Sequence, residues 1–259
     1  MAKKLKKLKK LKKYGWIPDT PDHRDLKYSP PRQIAEALPP VVDLRGKMPG
    51  VYDQGELGSC TANAIGGDLE YAQIRQGQQH WTPSRLFIYY NERVIENSVR
   101  EDSGAMLRDG IKAVVRWGFC PETDWPYVIS QFTRKPPRMS YKNAVKNRIQ
   151  QYARVSQRLD DMRACLAGGD PFFYGFSVYD SFESNYVAET GLMPMPRRGE
   201  RLLGGHAVLA VGYDDNRKVI IVRNSWGTGW GDKGYFYMPY DFIVNPDYAD
   251  DFWTVTYVP

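Results

Sequence analysis

"GGHAVLAVGYDDNRKVIIVRNSW", residues 204–226, decides the fold, because two apolar runs flank the turn-rich "DDNRK" and predict an antiparallel hairpin. His206 stands nine residues before Asp215, and Asn224 nine after it. With the register centred near Asp215, the two side chains come opposite each other, Cβ atoms about 4.5–5.5 Å apart. An amide oxygen beside an imidazole accepts the proton of one ring nitrogen, fixes the tautomer and leaves the other nitrogen facing a nucleophile.

Outward from this hairpin the second half keeps one texture. "PFFYGFSVY", "GYFYMPY" and "FWTVTY" are short aromatic and β-branched runs separated by turns, and they read as strands. The first half reads as helices. From residue 60 to about 76, Ala62, Ile65, Leu69 and Ala72 share one helical face and Gly77 is a natural stop; 82–97 and 105–118 are also helical, the latter closed by Gly118. Helices followed by strands predict an α+β architecture, a helical lobe and a β lobe with a cleft between them.

The nucleophile that His206 needs is offered by "DQGELGSCTANA", residues 53–64, where Cys60 opens the first of these helices. A thiol at a helix N-terminus feels the positive end of the dipole, and a nearby imidazolium lowers its pKa further, so a thiolate is expected near neutral pH. An attacked carbonyl oxygen turns negative and needs donors already in place; the Gln54 amide, six residues upstream, can pair with the Cys60 backbone N–H for this. Taken singly, Cys60 reads as a small buried hydrophobe, His206 as a core histidine and Asn224 as a turn residue. The combination points to nucleophilic catalysis.

Composition restricts the alternatives. The 259 residues are 42% hydrophobic, with no apolar run of the ~18 residues that a membrane span needs. The formal charge of +6 comes from the tail: eight lysines lie within residues 3–13, and the remaining 28 Lys+Arg face 30 Asp+Glu. No nucleic-acid groove is therefore read on the body. Cys60, Cys120 and Cys165 fit neither a zinc site nor a disulfide framework, and Cys120 and Cys165 read as core. Residues 1–13 form a basic tail with Leu5, Leu8 and Leu11 among the lysines. Its reading is a solvated segment or a contact with polyanion or anionic membrane. No apolar stretch of about 7–15 residues follows it, so no secretory signal is expected. Residues 14–40, rich in proline, read as an extended arm that Trp16, Ile17 and Tyr28 anchor, either a short pro-segment over the cleft or a permanent strap; 41–259 is the main domain, helical over roughly 50–150 and β over roughly 151–259.

"QGELGSC", "GGHAVLAVGY" and "NSWGTGWGDKGYF" resemble the three active-site segments of papain-like cysteine peptidases, and the resemblance runs from about 41 to 257. It implies a two-lobed fold, a helical lobe plus a β-barrel-like lobe, and a cysteine endopeptidase working through a Cys–His pair and a thioester acyl-enzyme. On this resemblance Cys60 is the nucleophile, His206 the general base and then acid, and Asn224 the orienter of the imidazole. Gln54 and the Cys60 N–H form the oxyanion hole, and Trp226 shields the Asn–His bond. "DSG" at 102–104 matches the loop that pairs with substrate backbone, which brings in Ser103 and Gly104. Gly175, Gly205 and Ala207 would line the pocket for the side chain two residues before the scissile bond; a bulky apolar or aromatic side chain is expected there, with a floor somewhere in 240–252.

"PFFYGFSVYDSF" and "GGHA" further resemble the cathepsin B branch, but the paired histidines of its occluding loop are absent, since only His23, His80 and His206 occur. Leu57 stands where relatives keep a disulfide cysteine, and Thr61 where they keep an aromatic. The resemblance implies no metal and no cofactor, polypeptide substrates, proteinaceous cysteine-protease inhibitors as partners, and a monomer. Few cysteines and the lack of a signal or membrane-spanning run predict a cytoplasmic setting, or else packaging in a virion or export without a standard signal. The competing readings are a non-catalytic binding protein on the same scaffold and a Cys–His acyltransferase.

Overall fold

The computed structural model describes residues 14–257; the lysine-rich tail, with its expected polyanion or membrane contact, lies outside the described residues. In chain order the elements are β1 (Trp16–Ile17), α1 (Arg32–Glu36), β2 (Val41–Asp43), α2 (Cys60–Arg75), α3 (Arg85–Ile95), β3 (Ala105–Met106), α4 (Leu107–Trp117) and α5 (Arg138–Ala144). They are followed by β4 (Gln151–Arg154), α6 (Leu159–Ala167), β5 (Phe172–Tyr179), α7 (Asn185–Thr190), β6 (Leu202–Asp214), β7 (Val219–Arg223), β8 (Tyr235–Pro239), α8 (Tyr240–Ile243) and β9 (Ala249–Tyr257). Among the described residues no helix is long and apolar enough to cross a membrane.

The predicted helices form, with starts set by local chemistry. α3 begins at Arg85 because Ser84 caps it, its Oγ accepting the Phe87 N–H at 3.1 Å. α4 begins at Leu107 because Ala105 and Met106 are committed to β3, paired in parallel with β1 of the arm. The arm is therefore not merely extended; it contributes β1 and the short helix α1.

The second half is a seven-stranded antiparallel sheet in the order β4-β9-β5-β6-β7-β8, with β2 added beside β6. The barrel-like lobe expected from the resemblance is a curved sheet that does not close among the described residues. Register shifts in β4, β5 and β6 bend its strands around the aromatic core of Phe172, Tyr174, Phe176, Phe236 and Phe252. That curvature buries the core without pairing the sheet edges.

α2 lies between this sheet and the other helices. Every residue from Cys60 to Gln73 is buried, so the single apolar face read from the periodicity is corrected: both sides are covered. Small residues make this possible. An added Cβ at Gly67 would come within 2.6 Å of Arg223 Nη1, and one at Gly66 within 3.4 Å of the Arg85 side chain.

Gly118 closes α4 with φ 77°, its N–H donating to Val114 O at 2.9 Å, and an added Cβ would overlap the Ala144 carbonyl. Gly118→Ala meets both a left-handed backbone and a backbone clash, and should cost about 1–3 kcal/mol. Urea unfolding checks this; a loss under about 0.5 kcal/mol would show that the α4–α5 corner relaxes freely.

Candidate active site

Cys60 is the first residue of α2, after Ser59, whose side chain gives no capping bond to the helix. Ser59 Oγ instead meets the Tyr127 hydroxyl at 2.6 Å, so the positive end of the helix is left to the thiol region. Across from it stands β6. The backbone N–H of Ala207, the neighbour of His206, faces the Cys60 sulfur, as do those of Gly15 and Thr61.

His206 Nε2 donates to Asn224 Oδ1 at 2.8 Å, and the same oxygen accepts the Ser225 N–H at 2.8 Å. With Nε2 carrying the proton, the other ring nitrogen, Nδ1, is the basic one. The two residues do not sit directly opposite. β6 and β7 pair Leu209 with Arg223 and shift between Ala210 and Gly212, so His206 and Asn224 meet along a diagonal of the ladder, still within reach of their side chains. The Trp226 indole stacks on the imidazole, ring centroids 4.9 Å apart at 28°, and covers the pair.

Gln54 is fully buried and fixed at both ends of its amide. Nε2 donates to Leu57 O at 2.9 Å and Oε1 accepts the Ser225 hydroxyl at 2.5 Å. Its backbone N–H donates to Ser225 O at 2.8 Å, so the loop before Cys60 and the segment after Asn224 are sewn together. Ser225 carries this connection, and sequence reading passed over it. Asp102 is a second such residue. It accepts the Gly58 N–H at 3.0 Å and the Tyr89 hydroxyl at 2.5 Å, and so holds the "DSG" segment against the nucleophile loop.

The cleft is filled by the chain's own arm. Gly15 O accepts the Ala105 N–H at 2.7 Å, and an added Cβ at Gly104, φ 77°, would overlap Gly15. The Tyr14 ring stands edge-on to His206 at 6.2 Å, its hydroxyl donating to the Glu183 carboxylate. Trp16 lies where side chains at Gly175 and Gly205 would be. Ser103 points elsewhere, bonding Ser98 Oγ at 3.0 Å and its neighbour's carbonyl at 3.1 Å.

Asp251 lies within 240–252, where the sequence left the pocket floor unplaced, and stands at the end of the space that Trp16 fills. It sits with φ 61° where the β5–β9 pairing is irregular, and its Oδ2 accepts Trp16 Nε1–H at 3.1 Å and the Asp19 N–H at 2.8 Å. An aspartate tolerates that backbone, which is the one signal in "ADDFWTVTY" that could have marked it. Burial, and after it the nearby Asp19 charge, pushes the Asp251 carboxyl up to about 7.

Burial pushes the Cys60 thiol up to about 12, outweighing the lowering by the N–H groups of Ala207, Gly15 and Thr61. That direction runs against the thiolate expected from the helix start. Cys120 and Cys165 are likewise free and buried. Among the described residues no group of three or more His, Cys, Asp or Glu is placed to hold a metal ion.

A thiol at the start of α2, met by the N–H of the residue after an amide-oriented imidazole, defines a thiol peptidase type of site, and the sequence pattern of the papain family cysteine proteases matches residues 38–245. The chain belongs to the papain family of cysteine proteases. It is 39% identical, over 93% of its length and 86% of the relative, to a peptidase C1-like protein of Acanthamoeba polyphaga mimivirus. It is similar to the crystal structure of xylellain, a cysteine protease from Xylella fastidiosa, at 45% identity and TM-score 0.91, covering 98% of this chain and 100% of that one. Cysteine proteinase 1 of Entamoeba histolytica is 29% identical over 80% of this chain, which spans 65% of that relative.

A raised thiol pKa ties arm docking to pH: docking is favoured while the thiol stays protonated and weakens as pH climbs past the thiol pKa of the open form. Iodoacetamide should therefore modify Cys60 of the full chain slowly at pH 7, with a rate still rising beyond pH 10. A chain without residues 1–20 should react at least about tenfold faster at pH 7. Peptide mass spectrometry reads both rates, and equal rates at pH 7 would refute occlusion by the arm.

Proposed function

We propose that this protein is a cysteine endopeptidase kept latent by its own residues 14–19. The observation that carries the reading is the His206 Nε2 bond to Asn224 beside the first turn of α2, where Cys60 sits. In the opened cleft the Cys60 thiolate attacks a peptide carbonyl carbon. The carbonyl oxygen takes the negative charge and is met by the Cys60 N–H and the Gln54 amide. His206 then passes its proton to the departing amine, leaving a thioester. Water, losing a proton to His206, cleaves the thioester, and the acid product departs.

One feature favours endopeptidase action. The other histidines stand apart from the site: His80 meets Glu70 at 3.3 Å and His23 belongs to the arm. The arm escapes cleavage because Gly15 turns its N–H to the sulfur, while its carbonyl is engaged by Ala105. A donor over the nucleophile offers it nothing to attack.

The arm divides into two parts with different roles. Residues 14–19 are the plug. Residues 26–43 are a strap built into the body: Arg154 N–H donates to Leu26 O at 2.7 Å, Tyr28 N–H to Arg154 O at 2.8 Å, Tyr28 hydroxyl to Asp170 at 2.9 Å, and β2 pairs with β6. Exposed His23 and Arg24 lie between them and are the place for an activating cut.

Removal of residues 1–20 should raise peptidase activity at least about tenfold, whereas removal through residue 40 should also lower stability through loss of the strap. An unchanged rate after the first trimming would overturn the plug. On the trimmed protein, a peptide epoxide should give a single adduct on Cys60, absent in Cys60→Ala and strongly reduced in His206→Ala. Labelling of Cys120 instead would sink the assignment. Gln54→Ala should lower kcat by about 10²–10³ with the fold intact by circular dichroism, and a loss under about threefold would remove Gln54 from the oxyanion hole.

A further inference from the structure

Between Asp124 and Asp160 the chain carries eight Lys and Arg and no acidic residue, whereas the rest of residues 14–259 holds 20 Lys+Arg against 30 Asp+Glu. The near-neutral charge of the body therefore conceals one basic district. Six of its cations, Arg134, Lys135, Arg138, Lys142, Lys146 and Arg148, are exposed, and none of the six forms an ion pair among the described residues.

Folding sets part of this district around a groove. Tyr90, Asn91 and Val94 of α3, Trp117 of α4, Tyr141 of α5 and Lys135 line a space of about 360 Å3, the size of a pocket for a side chain or small ligand. Asn91 and Tyr141 answer each other: the Tyr141 hydroxyl donates to Asn91 Oδ1 at 3.0 Å, and Asn91 Nδ2 donates to Phe87 O at 2.8 Å. Arg116 lies over the Trp117 ring, its guanidinium carbon 4.6 Å from the centroid, so a cation stands at that wall as well. The groove thus offers mainly aromatic and aliphatic surface inside a cationic rim.

Both features together select the occupant. A nucleobase or a sulfated sugar would bring polar edges into a space whose amide is already paired, and a bilayer surface is too broad to enter a concave slot. The chain's own tail, with eight lysines in residues 3–13, is repelled by the same charges. A polypeptide can present one protruding apolar side chain with carboxylates on either side of it, which matches an apolar slot in a cationic rim.

We propose that this groove on α3, α4 and α5 is a docking site for an acidic polypeptide segment, with one bulky apolar side chain in the slot and its flanking carboxylates on the surrounding cations. None of the lining residues belongs to the cleft, so the site goes beyond the peptidase reading and gives the protein a second, separate hold on a partner. On a substrate, such a hold raises the local concentration of the chain to be cut and lowers KM without touching the chemistry.

Binding is tested on full-length Cys60→Ala, which cannot cut the probes, by fluorescence anisotropy with three labelled peptides. They are a short Asp/Glu-rich peptide with one central phenylalanine, the same peptide with alanine there, and the phenylalanine peptide flanked by lysines. The acidic phenylalanine peptide should bind about 10- to 100-fold more tightly than its alanine counterpart, the range for burying such a side chain. It should exceed the lysine-flanked peptide by at least about tenfold at low salt, and weaken as salt rises from about 0.05 to 0.3 M. Val94→Glu and Lys135→Glu, both at exposed positions, should each weaken it at least about fivefold, with urea unfolding unchanged. Equal binding of the two acidic peptides, or binding that survives Val94→Glu, overturns the proposal. Tighter binding of heparin, a single-stranded oligonucleotide or phosphatidylserine vesicles through the same residues also overturns it, as does self-association that Val94→Glu abolishes, which would make a second copy the occupant.

The consequence for substrates is read on the trimmed enzyme. A cleavable peptide that carries the acidic phenylalanine segment on a flexible linker should have a KM at least about threefold below that of its alanine counterpart, with kcat equal. In Val94→Glu the two KM values should coincide, and the kcat/KM of an untagged peptide should be unchanged. Equal KM values in the unsubstituted enzyme, or a difference that survives Val94→Glu, refute substrate capture. An inactive trimmed enzyme would instead refute the peptidase reading, and the anisotropy series would still decide the groove.

Discussion

Helix α2 is enclosed from its nucleophile to its last turn, and that enclosure constrains everything built around it. A helix with both sides covered must have each polar group answered from inside. Thr61 donates to Glu92 of α3 at 2.8 Å, Asp68 accepts the Val255 N–H of β9 at 3.1 Å, and Gln73 accepts the Trp81 N–H at 3.2 Å. Burial pushes the Glu92 carboxyl up to about 8, so at neutral pH it is held mainly in its uncharged form. Thr61, which stands where relatives place an aromatic, thereby becomes the polar tie between the nucleophile's helix and the next. The sheet on one side and α3 and α4 on the other fix where the first turn of α2 emerges.

Positioning of the imidazole follows from the same packing. β6 lies across α2, so His206 is delivered to the helix start, and the turn after β7 brings Asn224 and Ser225 to it. Asn224 orients the ring, while Ser225 binds Gln54 through both its hydroxyl and its carbonyl. One short segment therefore supports His206 and Gln54 together. Trp226 completes the segment by stacking on the ring, with Phe182 and Trp230 packed behind it.

The cleft is also a receptor for its own chain. Gly104, Gly175 and Gly205 withhold side chains where a bound polypeptide must approach closely, and the arm uses all three spaces. What the arm lacks is a carbonyl aimed at the sulfur. It is held by polar groups at depth, with Trp16 and Asp19 on Asp251, and Asp19 in turn accepting Trp253 Nε1–H at 3.0 Å and the Arg108 N–H at 3.0 Å. Burial raises the Asp19 carboxyl as well, so arm and pocket share one low-dielectric patch.

Much of this was legible before any coordinates. The sequence by itself determined the helices α2 and α3 and most of α4, the strands of the second half and the choice of Gln54, Cys60, His206 and Asn224 as candidates, because periodicity, glycine stops and strongly typed motifs act over short stretches. Gly118 and the Ser84 cap are local in the same sense. Tertiary structure alone decided the rest. The diagonal meeting of His206 with Asn224 depends on a register shift in β6, and no hairpin rule counts that residue. The upward push on the Cys60 thiol comes from burial in the assembled fold. Asp251 came into view only when Trp16 was found bonded to it across 235 residues. Long-range pairing, burial and dielectric belong to the assembled chain, whereas a motif carries only its own neighbours' chemistry.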